Sequence, residues 1–131
     1  MKFRYKRYSR NILRPVIPVE IGIGDRSIPY EALVDSGADF CIFPAELGEL
    51  LEIDLAGGEK NLVNGITGKA EWYFMHSVTL TVGGHPFIIK AGFLPNMGEI
   101  GYGVVGQQGF FDLFIVKFDL QQEEIELKPR V

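Results

Sequence analysis

The chain has 131 residues, enough for one domain with its own core, and at 47% hydrophobic and 23% charged it is too apolar for a disordered chain. A net charge of −4 makes nucleic acid an unexpected partner, and one cysteine, Cys41, excludes an intrachain disulfide and fits a reducing compartment. Two histidines and that cysteine give no metal-site spacing, no run approaches the ~18 apolar residues of a membrane span, and Arg14 and Pro15 interrupt Ile12 to Val16 where a secretory leader would be apolar, so a soluble cytoplasmic protein is expected.

Charge is uneven. The first fourteen residues, MKFRYKRYSRNILR, hold six of the thirteen Lys and Arg and no acid. One reading is an arm for an anionic surface or RNA, with Tyr5 and Tyr8 available to stack. The other is a solvated arm, or an edge strand that uses charge to block aggregation.

Strand signals dominate the rest. VEIGIG puts Val19, Ile21 and Ile23 on one face, and IPYEALV follows after the turn GDR. PAELGELL reads as a short helix with Pro44 in its first turn and Leu47, Leu50 and Leu51 on one face. VTLTV alternates, Gly83-Gly84 makes a two-residue hairpin turn, and HPFIIKAGFL returns. QQGFFDLF suggests a second short helix with Phe110 and Phe114 on one face, though its aromatics suit a strand equally. IVKFDL and EIELK flank QQE as a last hairpin. Short strands with glycine-rich turns at this spacing indicate a small sandwich or barrel.

The run ALVDSGADFCIFP, residues 32 to 44, carries the chemistry. Val34 reads as buried, and Asp35 follows it directly. A carboxylate at the end of a buried strand is costly unless it is paired, hydrogen-bonded or protonated. Gly37 permits a tight turn and close approach of another segment, and Ser36 supplies a short hydroxyl. An Asx-type turn closing a strand accounts for the tripeptide alone.

The flanking residues add to this. ALVDSGAD resembles the active-site signature of aspartic proteases, apolar residues followed by Asp-Thr/Ser-Gly, with the Ala-Asp continuation of the retroviral type, the retropepsins. NGITGKA at 64 to 70 is similar to the family's glycine-rich flap tip, although Asn-Gly is also an ordinary hairpin turn. GVVGQQG at 103 to 109 resembles the strand that crosses beneath the catalytic loop, ahead of a single C-terminal helix. The resemblance covers roughly residues 16 to 128. It implies a mainly all-β fold: a small closed barrel of the acid-protease type with a flap hairpin and one or two short helices. The whole chain, 1–131, then forms a single retropepsin-like domain with a basic arm at about 1–14.

Its functional implication is an aspartic endopeptidase without metal or organic cofactor. Two carboxylates about 3 Å apart cannot both ionise, so they share a proton and act as base and acid together. The chain has one Asp-Ser-Gly. The resemblance therefore implies a homodimer with two copies of Asp35 meeting on a two-fold axis, acting on an extended peptide or protein. Asp35, Ser36 and Gly37 would form the catalytic loop, Ser36 hydrogen-bonding across the axis and Gly37 offering its N–H to the carboxylate. Ala38, Asp39, Asn64, Gly65, Ile66, Thr67, Gly68, Val104 and Val105 would line the substrate site, with a preference for apolar side chains near the cut. Gly106 would be structural beside it. Ala38 offers no side-chain donor to the carboxylate, which implies a mildly acidic pH optimum.

One departure concerns the position after Gly106. Many retropepsins have an Arg there that pairs with the second acid of the loop. Here Gln107 and Gln108 follow, so Asp39 lacks that ion pair and a Gln amide is left to donate. Trp72, Tyr73 and Phe74 read as packing residues, and His76 and His85 as surface or strand residues. EEIELKPRV fits a terminal strand of the kind that two subunits share in a common sheet. Two other readings remain beside the enzyme: a catalytically silent binding or assembly module on the same fold, and an unrelated small barrel whose basic arm carries a carbohydrate or nucleic-acid site.

Overall fold

The computed structural model describes residues 1–64, 70–97 and 103–130. Six strands close on themselves. In chain order they are β4 (Val16–Ile23), β5 (Arg26–Val34), β6 (Cys41–Pro44), β8 (Ala70–Val82), β9 (His85–Leu94) and β10 (Val104–Val105). Around the barrel they run β4-β5-β10-β6-β9-β8, and β8 returns to β4 through Ile21 opposite Leu80. Closure removes the unpaired edges that an open sheet of this size would expose. A small closed β-barrel is what the resemblance implies.

Strand β8 is long because it serves three neighbours. Its second half pairs with β4 and β9, and its first half extends beyond the barrel to pair with β7 (Glu59–Asn64), from Glu59 opposite Met75 to Asn64 opposite Ala70. The predicted turn at Gly83-Gly84 closes β8 onto β9, Val82 facing His85, with both glycines at positive φ, +56° and +83°. Inside the barrel Ile17, Ile21, Phe43, Leu80, Phe93, Phe110 and Phe114 are all fully buried. Val19 and Ile21 face the core as expected. Ile23 does not; it ends β4 at the Gly24 turn and is 38% exposed.

Helix α1 (Ala45–Leu50) follows β6, with Pro44 as its N-cap and not in its first turn. Leu47 and Leu51 pack into the core, whereas Leu50 is 65% exposed. The reason is Gly48. A Cβ there would lie 2.6 Å from Leu55 and 3.2 Å from Phe93, so the helix docks through residues 47, 48 and 51 and turns Leu50 outward.

The second expected helix does not form. Gln108 bridges to Phe40 and residues 109–113 run as consecutive turns, with Phe111 N–H to Gly106 O and Asp112 N–H to Gln107 O, both at 3.1 Å and each joining residues five positions apart. Gly109 at φ +99° leaves the helical path. Phe110 and Phe114 are nonetheless both buried, with ring centroids 5.2 Å apart.

The terminal segments form a second sheet in the order β1 (Lys2–Arg4), β12 (Glu124–Pro129), β11 (Phe114–Asp119). Strand β12 is therefore flanked on both sides by its own chain, by β11 along its length and by β1 from Glu124 to Glu126, which places it inside a sheet of its own copy. The basic arm is folded: after β1 comes a hairpin of β2 (Lys6–Ser9) and β3 (Ile12–Arg14). Three of its cations face acids of the body, Lys2 at Glu126 (3.8 Å), Lys6 at Glu31 and Arg7 at Glu123 (2.8 Å). No helix is long and apolar enough to cross a membrane among the described residues.

Candidate active site

Strand β5 runs through the middle of the barrel wall, antiparallel to β4 and parallel to β10, so Leu33 has Val16 on one side and Val104 on the other. The backbone is tied down to its last residue. Leu33 N–H donates to Gly103 O (2.9 Å) and Val34 N–H to Pro15 O (2.8 Å). Asp35 is the first residue beyond the strand, and its N–H donates to Val105 O at 3.0 Å.

The chain then turns sharply. Ala38 N–H donates to Asp35 O (3.2 Å), and Gly37 N–H donates to the Asp35 carboxylate Oδ1 (2.9 Å). This is the Asx-type turn of the plainer reading, and it is also the Gly37 contact expected of a catalytic loop. The two coincide because the turn is what holds the carboxylate. Asp35 is half-buried, Ser36 and Gly37 are exposed, and Asp39 is exposed beyond half-buried Ala38. The carboxylate thus sits on rigid backbone yet reaches solvent, which lowers the desolvation cost that the sequence raised.

Residues 106–108 are zipped onto this loop. Gln107 N–H donates to Ala38 O (2.8 Å) and Gln108 N–H to Asp39 O (2.9 Å). Only glycine fits at 106, because a Cβ would lie 2.5 Å from both Ala38 O and Phe40 O. The Gln107 side chain does not turn to the Asp39 carboxylate; its Nε2 donates to Ser36 O at 2.6 Å.

The other site residues divide. Val104 is half-buried beside the loop, whereas Val105 is fully buried in the core and offers only its backbone. Asn64 ends β7 opposite Ala70. Gly65, Ile66, Thr67 and Gly68, the expected flap tip, lie outside the described residues. On the hairpin limb Tyr73 is buried against Phe40, ring centroids 6.4 Å apart, while Trp72 is 48% exposed. Burial pushes the Tyr73 phenol up, and the charges of Asp39 and Glu59 add to it. His76 is structural: its Nε2 lies 2.9 Å from Leu55 O and its ring stands edge-on to Phe93.

Sequence reasoning missed Phe40 and Met75. Both line a cleft of about 460 Å³ bounded by the hairpin limbs, by Ile88, Ile89 and Lys90 of β9 and by the 108–113 turns; it adjoins the loop through Phe40, and Asp35 is not in its lining. Only the position of Phe40, directly after the Ala-Asp continuation, signals this. Among the described residues no cluster of His, Cys, Asp or Glu is arranged to hold a metal.

The sequence model of a family described as aspartyl protease matches residues 17–108, more than half of the chain. The chain belongs to the aspartyl protease family. Its fold is also that of solved proteases. A retropepsin-like aspartic protease from Rickettsia conorii is similar at a TM-score of 0.63 and 15% identity, over 97% of this chain and 88% of that one. EIAV protease complexed with the inhibitor HBY-793 is similar at 0.56 and 21% identity, over 78% and 88%. No curated protein sequence matches the chain. At these identities the solved aspartyl proteases establish the fold, and the match over 17–108 spans Asp35, the hairpin limbs and Gly106.

Proposed function

We propose that this chain is an aspartic endopeptidase that acts as a homodimer, with one Asp35 from each copy forming the catalytic pair. The observation that carries this reading is the Asp35 loop itself. A carboxylate is held by Gly37 N–H at the exposed end of a strand fixed on both edges, in a chain with one Asp-Ser-Gly and the fold of retropepsin-like proteases. A single carboxylate can act as base or as acid, but peptide hydrolysis needs both at once, so half a site per chain requires a second copy.

In the pair, one carboxylate takes a proton from water as the water oxygen attacks the scissile carbonyl carbon. The other gives its proton to the carbonyl oxygen. The tetrahedral intermediate then collapses: the carboxyl that took the water proton gives it to the departing nitrogen as the C–N bond breaks, and a hydroxyl of the intermediate returns its proton to the other carboxylate. Ser36, exposed at the loop tip, would hold the two loops together across the axis. Ala38, Asp39 and Val104 would form the floor on which an extended peptide lies. The β7–β8 hairpin, with Asn64 to Gly68, would cover it by strand addition and exclude water.

The test is the initial rate of cleavage of an unfolded protein at mildly acidic pH across a series of enzyme concentrations, with Asp35→Asn as control. A rate that rises faster than linearly at low concentration and vanishes in the variant is expected. No cleavage by a sample shown to be dimeric would move the assignment to a binding or assembly module.

A further inference from the structure

The peptide unit between Ser36 and Gly37 is hydrogen-bonded at both ends. Its N–H, on Gly37, donates to Asp35 Oδ1 at 2.9 Å, and its C=O, on Ser36, accepts from Gln107 Nε2 at 2.6 Å. The Gln107 amide orientation follows from chemistry, since a carbonyl oxygen accepts only from the NH2 end. We propose that Gln107 is a positioning residue: its side-chain amide fixes and polarises the Ser36–Gly37 peptide, whose N–H in turn holds the Asp35 carboxylate. This inference rests on the proposed function for its catalytic consequence, though not for its geometry.

Three considerations support it. A peptide that precedes glycine flips easily, because glycine tolerates the positive φ that a flip demands. A flip would turn the Gly37 N–H away from Asp35, and a donor on the Ser36 carbonyl opposes it. Next, donation to a C=O strengthens the N–H of the same unit as a donor, since chained hydrogen bonds polarise one another. Finally, Gln107 has a fixed base from which to act. Its own N–H donates to Ala38 O (2.8 Å) and its C=O accepts from Asp112 N–H (3.1 Å), so its side chain projects from backbone tied to both neighbouring segments. A surface hydrogen bond of this kind adds little to stability, so its effect falls on the geometry of Asp35.

The test compares Gln107→Ala and Gln107→Glu with the wild type. The amide resonance of Gly37 is read by proton–nitrogen NMR, and kcat and KM are read separately. In Gln107→Ala the Gly37 amide proton should move upfield and exchange faster at unchanged Tm, and kcat should fall by up to about 100-fold with KM retained. In Gln107→Glu the same losses should appear at neutral pH. They should recover relative to wild type as pH falls through the ordinary glutamate range, about 4.3, where the protonated acid donates again. The titratable groups on the flanking segments are Asp35, Asp39, Cys41 and Asp112, so the wild type is measured at each pH. An unmoved Gly37 amide in Gln107→Ala, a loss confined to KM, or no recovery in Gln107→Glu would overturn the proposal. The Gly37 resonance is read without turnover. A wild type that cleaves nothing therefore counts against the proposed function alone, while the NMR result decides the inference.

Discussion

The backbone N–H of Asp35 donates to the carbonyl of Val105 at 3.0 Å, tying the candidate catalytic acid to a strand 70 residues further along the chain. The side chain is thereby separated from the support of its own backbone. The main chain is locked into the barrel wall, and the carboxylate is left to solvent and to the Gly37 amide.

That separation predicts that Asp35→Asn removes activity and leaves stability within about 0.5 kcal/mol of wild type, because the amide oxygen still accepts from Gly37. Thermal unfolding beside a cleavage assay checks it. A large drop in Tm would mean that the charge is structural.

Gly106→Ala should cost about 1–3 kcal/mol, because the new methyl would meet the Ala38 and Phe40 carbonyl oxygens, and backbone cannot move aside as a side chain can. Gly37→Ala is the contrasting case. Its methyl would meet only the Asp35 Oδ1, at 3.2 Å, so activity should fall at near-native stability. Denaturant unfolding of the pair, with rates, separates the two.

Phe110→Ala should destabilise by about 3–5 kcal/mol, since the ring is fully buried among Phe111 and Phe114 although its segment is not a helix. Phe111→Ala, at a half-buried position, should cost less. Urea midpoints of the two variants test the ranking.

Burial pushes the Cys41 thiol up to about 11 from its ordinary 9.0, with the Asp112 charge a smaller contribution in the same direction. The folded state favours the neutral thiol, so its contribution is complete below about pH 9 and is lost as pH rises through about 11. The stability difference between wild type and Cys41→Ala should shrink by about 2 kcal/mol between neutral pH and pH 11. Taking the difference cancels the tyrosines, which titrate in the same window in both proteins. A constant difference would show that the thiol is solvated.

Local pattern made much of this protein legible. Alternation in VTLTV, the Gly83-Gly84 turn and the apolar run before Asp35 are short-range signals, and each forms the element that it indicates. ALVDSGAD and GVVGQQG pointed to a fold that brings them together, and Gln107 N–H donating to Ala38 O is that meeting.

What local pattern did not decide lay where distant segments compete for one surface. Leu50 has the spacing of a core residue, and the approach of Phe93 and Leu55 to Gly48 turns it outward. QQGFFDLF has helical spacing, and Gly109 with the bonds to Gly106 and Gln107 makes it turns. EEIELKPRV reads as a strand open to a partner, and its own β11 and, over Glu124–Glu126, β1 flank it. The Gln107 amide reaches Ser36, 71 residues away, and no periodicity encodes that meeting. Residue types and their spacing set which groups the chain owns and what each stretch of backbone favours. Which of those groups meet is fixed by closure of the barrel, because only the closed sheet brings β5, β10 and the Asp35 turn within hydrogen-bond distance.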